Sequence, residues 1–320
     1  MALRRPALIA EIGINHNGST ALALELVEAA VDAGADAVKF QTFRTESLAS
    51  PLTPRVSYQE RDTTSKSHFD MLKRSELTAE QHADIANYCR QLGVEFLSTP
   101  YGIEGVALLQ QLGVERYKTA SADIVDLPLH EALASTRRPV LISTGMASFE
   151  EIGCVLDLYR ATGSHVTLMH TVSKYPTPQT EANLLRMASL LDEFQVPVGY
   201  SDHTQGISAA AAATVLGAVV IEKHFTLNKD FEGPDHLASA NPREFRAMVN
   251  LVEEVFSSLG SGANILQPEE VDDRVENHPY KMWIYAALKE LRTAQELRLP
   301  REWHKDVVKY EMYPYLASFQ

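Results

Sequence analysis

A parallel (β/α)8 barrel, the TIM-barrel class of α/β fold, is what the sequence predicts, and three observations predict it. Eight short apolar runs recur along the chain, and segments of helical spacing fill the intervals. Most of the runs are apolar at consecutive positions, as strands buried on both faces are. The chain has 320 residues, more than the roughly 250 that a barrel needs. A doubly wound open sheet is the competing architecture. The missing G-x-G-x-x-G after the first run counts against it.

The predicted strands are residues 7–14, 37–41, 94–98, 116–120, 140–143, 166–170, 198–200 and 219–222. Helical spacing fills residues 21–33, 80–92, 105–112 and 208–216, and each segment has glycine just past its end (Gly34, Gly93, Gly113, Gly217), where a C-cap is expected. The connection 43–77 is long for such a fold and carries Tyr58, Gln59, Arg61 and Lys66. It reads as an excursion over the barrel mouth, with plain disorder as the alternative. The barrel finishes with a helix near 244–259, so residues 1–262 form one domain. The remainder, 263–320, reads as a helical extension with an aromatic tail (Trp303, Tyr310, Tyr313, Tyr315, Phe319) that packs on the barrel or a partner subunit.

Composition excludes several classes of function. A net charge of −13 disfavours nucleic acid and anionic membranes as partners. Two cysteines, Cys89 and Cys154, make no disulfide framework, and a reducing cytoplasm is the expected compartment. The apolar run at 7–10 is too short for a signal peptide, and no stretch reaches the ~20 apolar residues of a membrane helix.

In a barrel, function collects where the strands end at the C-terminal face. Nearly every predicted strand delivers polar residues there: Glu11, Asn15 and His16; Lys39 and Gln41; Ser98 and Thr99; Lys118, Ser121 and Asp123; Ser143 and Thr144; His170, Ser173 and Tyr175; Ser201, Asp202 and His203; Glu222, Lys223 and His224. Lys39 and Lys118 lie inside apolar strands, where an unpaired lysine is costly. One reading is a lysine–carboxylate pair within the barrel. The functional reading is an anion clamp, the lysines acting with Thr99, Ser121, Ser143 and Ser173 on a phosphate and a carboxylate. A Schiff-base aldolase using one of these lysines is a third. His203 and His224 end adjacent strands, ~4.8 Å apart, so both imidazoles reach one divalent ion. A hydrogen-bonded structural histidine is the plainer alternative for each.

These residues stand in stretches that resemble the N-acetylneuraminate (sialic acid) synthases and their relatives for legionaminic and pseudaminic acids. The stretches are AEIGINHNG (10–18), AVKFQT (37–42), EFLSTP (95–100), YKTAS (117–121), LISTGM (141–146), YPTP (175–178), GYSDHT (199–204), IEKHFT (221–226) and GPDH (233–236). Any one is a weak signal; their order across roughly residues 7–260 is specific. The resemblance implies a (β/α)8 barrel that condenses phosphoenolpyruvate with the open-chain aldehyde of an N-acylated amino sugar and releases phosphate. It implies manganese or magnesium on His203 and His224. It implies phosphoenolpyruvate held by Lys39, Thr99, Lys118, Ser121, Ser143 and Tyr175, with Glu11, Gln41 and Asp235 near the sugar or the reacting centre. Glu222 or Glu11 then activates the attacking water.

There are departures. Ser173 stands where the family often has Asn, and Asp123 stands in the place of a glutamate. The family's C-terminal antifreeze-like lid domain has no match in residues 268–320, which leaves an unusual acceptor or a separate lid protein as the expectation. A homodimer is implied. A non-catalytic binding subunit is the remaining alternative, opposed by the joint presence of Glu11, Lys39, Lys118, His203 and His224.

Overall fold

A computed structural model describes residues 4–52, 67–261 and 263. Eight strands are present: β1 (Ala7–Gly13), β2 (Ala37–Thr42), β3 (Glu95–Pro100), β4 (Tyr117–Thr119), β5 (Val140–Ser143), β6 (Val166–His170), β7 (Val198–Asp202) and β8 (Val220–His224). All their pairings are parallel, in the order β3-β2-β1-β8-β7-β6-β5-β4. The ladder runs around a barrel and is open at one seam, between β3 and β4. The predicted (β/α)8 fold is therefore the observed one.

The helices are α1 (Thr20–Asp32), α2 (Thr45–Leu48), α3 (His68–Ser75), α4 (Ala79–Leu92), α5 (Ile103–Leu112), α6 (Leu127–Ser135), α7 (Phe149–Thr162), α8 (Arg186–Phe194), α9 (Ser208–Val215) and α10 (Pro242–Leu259). Local chemistry sets their ends. Thr78 and Gln81, Ser148 and Glu151, and Asn241 and Glu244 form reciprocal capping boxes at the starts of α4, α7 and α10. Gly93 closes α4 in the left-handed region at φ 72°, a conformation that a Cβ penalises. Among the described residues no helix is long and apolar enough to cross a membrane.

Side chains alternate along each strand. Outward positions such as Leu8, Val38, Phe40 and Ile142 join the helices in the main core. Inward positions build a separate apolar layer inside the barrel: Ile9, Ala37, Leu97, Leu141, Met169 and Val220. Two residues further along those strands come Glu11, Lys39, Thr99, Ser143, Thr171 and Glu222, all buried. The period of two thus puts a polar layer directly above an apolar floor.

The connection after β2 contains α2 and α3, which the sequence left as loop. Phe43, Ala49, Met71 and Leu72 pack there with Ile14, which follows β1, and with Tyr101, which follows β3. This small cluster sits at the C-terminal end of the strands. Tyr58, Gln59, Arg61 and Lys66 lie outside the described residues, as does the extension expected beyond 263.

Candidate active site

Four charged side chains meet in the polar layer. The register sets Glu11 of β1 beside Lys39 of β2 and beside His224 of β8. The Lys39 ammonium lies 2.7 Å from Glu11 Oε2 and donates to Thr99 Oγ1 at 3.1 Å. Gln41 donates to the other Glu11 oxygen at 3.2 Å. Glu222 Oε1 stands 3.9 Å from the Lys39 ammonium and 3.8 Å from that of Lys118, and accepts from Ser201 Oγ at 3.0 Å. Lys118 donates to Ser143 Oγ and to the Thr119 carbonyl. The lysine–carboxylate pair weighed from sequence is therefore present. The hydroxyls of the anticipated clamp, Thr99 and Ser143, are each already bonded to one of the lysines.

Two buried cations face two buried carboxylates, and the environment separates their protonation. Burial pushes the Glu222 carboxyl up, but Lys118 and Lys39 outweigh that and hold it below the usual range. The Glu11 carboxyl moves up, because burial, with Glu222 adding repulsion, exceeds the attraction of Lys39. Burial lowers Lys118, whereas Glu11 and Glu222 overcome the same effect at Lys39 and raise it. Glu222 is the firm anion of the set. Its Oε2 is buried with no hydrogen-bond partner among the described residues.

His203 and His224 stand beside this cluster, each 7% exposed, with ring centroids 5.6 Å apart. Burial pushes the His203 imidazole down to about 4 and His224 well below its ordinary value, so both are neutral near pH 7. His203 Nδ1 lies 2.8 Å from the Val172 carbonyl and 3.3 Å from Thr171 Oγ1. Donating that proton to the carbonyl leaves the Nε2 lone pair for a ligand. Tyr175 lies against His203 at a centroid distance of 4.1 Å, its ring tilted by 32°, and meets His224 edge-on at 5.6 Å. Two neutral imidazoles, one oriented by a backbone acceptor, fit a divalent ion with open positions. Among the described residues no group of three or more His, Cys, Asp or Glu side chains is arranged to hold one.

The remaining predicted residues lie around this centre. Ser121 and Ser173 approach one another across Gly145. A Cβ added there would lie 2.6 Å from the Ser121 hydroxyl and 2.5 Å from that of Ser173. Asp123 accepts from the Ala120 amide at 3.1 Å and so shapes the 3₁₀ turn Ser121–Val125; burial raises its carboxyl to about 6. Asp235 is half-buried on the loop after β8, and burial raises it to about 6 against the opposing pull of Lys39.

Not every polar strand end belongs to the site. Asp202 and Lys223 bond to each other at 2.7 Å on the helix-facing side of the barrel wall. His170 stacks on Tyr200 and pairs with the Ala182 carbonyl at 2.9 Å. Asn15 ties the β1 loop to the Phe225 carbonyl and Ser239. Conversely, Gly145 helps form the site without being singled out in the sequence, and Ser201, counted only among the polar strand ends, bonds to Glu222. Both stood in quoted stretches, and the inward phase of Glu222 would have selected its neighbour Ser201.

The profile of the NeuB family matches residues 26–264. The chain belongs to the NeuB family. Over 261 residues it is 42% identical to an N,N'-diacetyllegionaminic acid synthase of Legionella pneumophila, an alignment covering 80% of this chain and 73% of that one. It is 39% identical over 264 residues to an enzyme of the same name from Campylobacter jejuni, covering 81% and 79% of the two chains. The crystal structure of an N-acetylneuraminic acid synthetase from Leptospira borgpetersenii superimposes with a TM-score of 0.76 at 32% identity, covering 87% of this chain and 92% of that one. These NeuB relatives are sugar-acid synthases, and this chain is an enzyme of that class.

Proposed function

We propose that this NeuB-family barrel condenses phosphoenolpyruvate with the open-chain aldehyde of an amino sugar, giving a 3-deoxy-2-keto sugar acid and phosphate by C–O cleavage. The observation that carries the reading is the joint arrangement in one barrel mouth. Lys39 and Lys118 form a buried dication, partly neutralised by Glu11 and Glu222, beside two neutral histidines. Names of relatives alone would not supply that chemistry.

In this reading the lysines, with Thr99, Ser121, Ser143 and Ser173, hold the phosphate and carboxylate of phosphoenolpyruvate through charge-assisted bonds. Tyr175 closes one wall. A manganese or magnesium ion on His203 and His224 would polarise the aldehyde oxygen. C3 of phosphoenolpyruvate bonds to the aldehyde carbon, and positive charge develops at C2. Glu222, ionised and with one oxygen that has no hydrogen-bond partner among the described residues, takes a proton from the water that adds to C2. Glu11 carries the more easily protonated carboxyl and stands next to His224, so it supplies a proton to the new alkoxide. The C2–O bond to phosphate then breaks. Gln41 holds Glu11, and Asp235 faces the sugar.

The reading includes a cytoplasmic homodimer, with the acceptor sugar set by groups outside this centre. The test is phosphate release from phosphoenolpyruvate with manganese across a panel of aldehyde sugars, N-acetylmannosamine and non-acylated sugars included. Chelator-sensitive release with one acceptor supports it. Binding of phosphoenolpyruvate without release from any acceptor, in the presence of metal, would favour a binding subunit.

A further inference from the structure

Asp202 and Lys223 are neighbours in the β7–β8 ladder and stand immediately before His203 and His224. They are 1% and 3% exposed, and strand alternation turns them away from the barrel interior. The Lys223 ammonium donates to Asp202 Oδ2 at 2.7 Å and to the Thr204 carbonyl at 2.8 Å. One cation thus grips both residues that flank His203, and its own backbone adjoins His224. The second carboxylate oxygen of Asp202 accepts from the Thr204 amide at 2.8 Å, the Thr204 hydroxyl at 2.7 Å and the Tyr200 hydroxyl at 3.2 Å.

The regular β7–β8 pairing stops at this pair. Past it each histidine is tied elsewhere. The His203 carbonyl accepts from the Thr177 amide at 2.8 Å, and the His224 carbonyl accepts from the Ala240 amide at 2.7 Å. The Asp202–Lys223 bridge is therefore the last cross-strand tie before the two imidazoles. Stability is a poor reason for it, since well-packed apolar side chains commonly replace a buried ion pair at no loss.

We infer that the Asp202–Lys223 pair is a positioning clamp, fixing the approach of His203 and His224 from the far side of the barrel wall and thereby the affinity for the divalent ion they hold. Neither residue touches the reacting atoms. The inference rests on the metal reading above, and the experiment separates the two.

The full chain is stripped with chelator and titrated with Mn2+, with free ion read by electron paramagnetic resonance and no turnover involved. The key variant is the double substitution Asp202→Asn with Lys223→Met, which removes the pair without leaving a lone buried charge and keeps an acceptor for Thr204 and Tyr200. It is expected to melt near the parent temperature, yet to bind Mn2+ about 10- to 100-fold more weakly, the usual loss when the support of a metal ligand is removed. The low-temperature spectrum of the bound ion should also change, because the ligand geometry has. A double variant with parental melting, affinity and spectrum overturns the clamp and leaves the pair a structural one. Should the double variant fail to fold, Asp202→Asn is measured instead, a change that leaves the Lys223 ammonium with the Thr204 carbonyl but no carboxylate and is expected to lower the melting temperature. It is isosteric and can still accept from Thr204 and Tyr200; about a 10-fold loss is expected, and unchanged affinity overturns the inference. A parent chain that binds neither Mn2+ nor Mg2+ sinks the metal reading itself before any variant is compared.

Discussion

Gly145→Ala adds one methyl group at the point where Ser121 and Ser173 converge. The new Cβ would lie 2.6 Å and 2.5 Å from their hydroxyl oxygens and 2.9 Å from the Thr171 methyl. Carbon–oxygen contacts so short are not tolerated, and short serine side chains yield more easily than the barrel wall. Both hydroxyls should therefore turn away from the mouth while the fold survives. If each donates to an anionic substrate, the loss is roughly 1.5–3 kcal/mol per bond. Two bonds make about 3–6 kcal/mol, or roughly a 10²- to 10⁴-fold weaker affinity for phosphoenolpyruvate at about 1.4 kcal/mol per decade. Isothermal titration with phosphoenolpyruvate measures it. Gly153→Ala is the control: this glycine is inside α7, and its added Cβ would meet only the Phe194 ring, at 3.9 Å. That change should leave affinity alone and stabilise the helix by up to about 1 kcal/mol. A folded Gly145→Ala protein binding within threefold of the parent would refute the role given to Ser121 and Ser173.

Three further predictions follow from the buried charges. Glu222→Gln leaves Lys39 paired with Glu11 and Lys118 with no carboxylate within 4 Å among the described residues; a loss of about 3–5 kcal/mol is expected, a drop in Tm of roughly 6–20 °C at about 2–4 °C per kcal/mol, and a calorimetric shift under 2 °C would be too small. Burial holds His16 and His236 down at about 4, against an ordinary 6.5. Their unfolded forms take up protons first, so stability is full above pH 6.5 and falls as pH drops toward 4, with a slope of up to about 1.4 kcal/mol per pH unit for each histidine. Urea unfolding between pH 7.5 and 4.5 measures this, and the slope should flatten in His16→Asn. Borohydride with pyruvate should leave Lys39 and Lys118 unmodified; a trapped adduct on either would favour the Schiff-base aldolase.

The strands were legible because burial on both faces makes them apolar at consecutive positions. The same signal misled at their ends. The observed β7 and β8 run to Asp202 and His224, two residues past where the apolar runs stop, because the polar Ser201–Asp202 and Lys223–His224 pairs belong to the strands. Residue type alone does not separate the polar strand ends. Alternation divides them: Glu222 and His224 face the mouth, while Lys223 between them faces the helices. α2 and α3 went unseen because each is short and its apolar residues pack on a loop cluster instead of forming a long stripe. The β1 irregularity between Glu11 and Gly13 was also invisible, although it carries a positive φ of 57° at Gly13. A Cβ there would press to 3.1 Å from Glu11 Oε1 and 3.2 Å from Gln41 Nε2. The partners of the lysines could be suspected from sequence. Which carboxylate serves which lysine depends on register, and register comes only with the assembled barrel.

The most direct test of the central claim follows the oxygen that bridges C2 and phosphorus in phosphoenolpyruvate. The enzyme is given substrate labelled there with heavy oxygen, manganese and the acceptor that supports turnover, and both products are weighed by mass spectrometry. The account predicts the label entirely in inorganic phosphate, with the acceptor enlarged by the three carbons of a keto acid. Phosphate released without label, or an acceptor unchanged in carbon number while phosphoenolpyruvate is consumed, would contradict it.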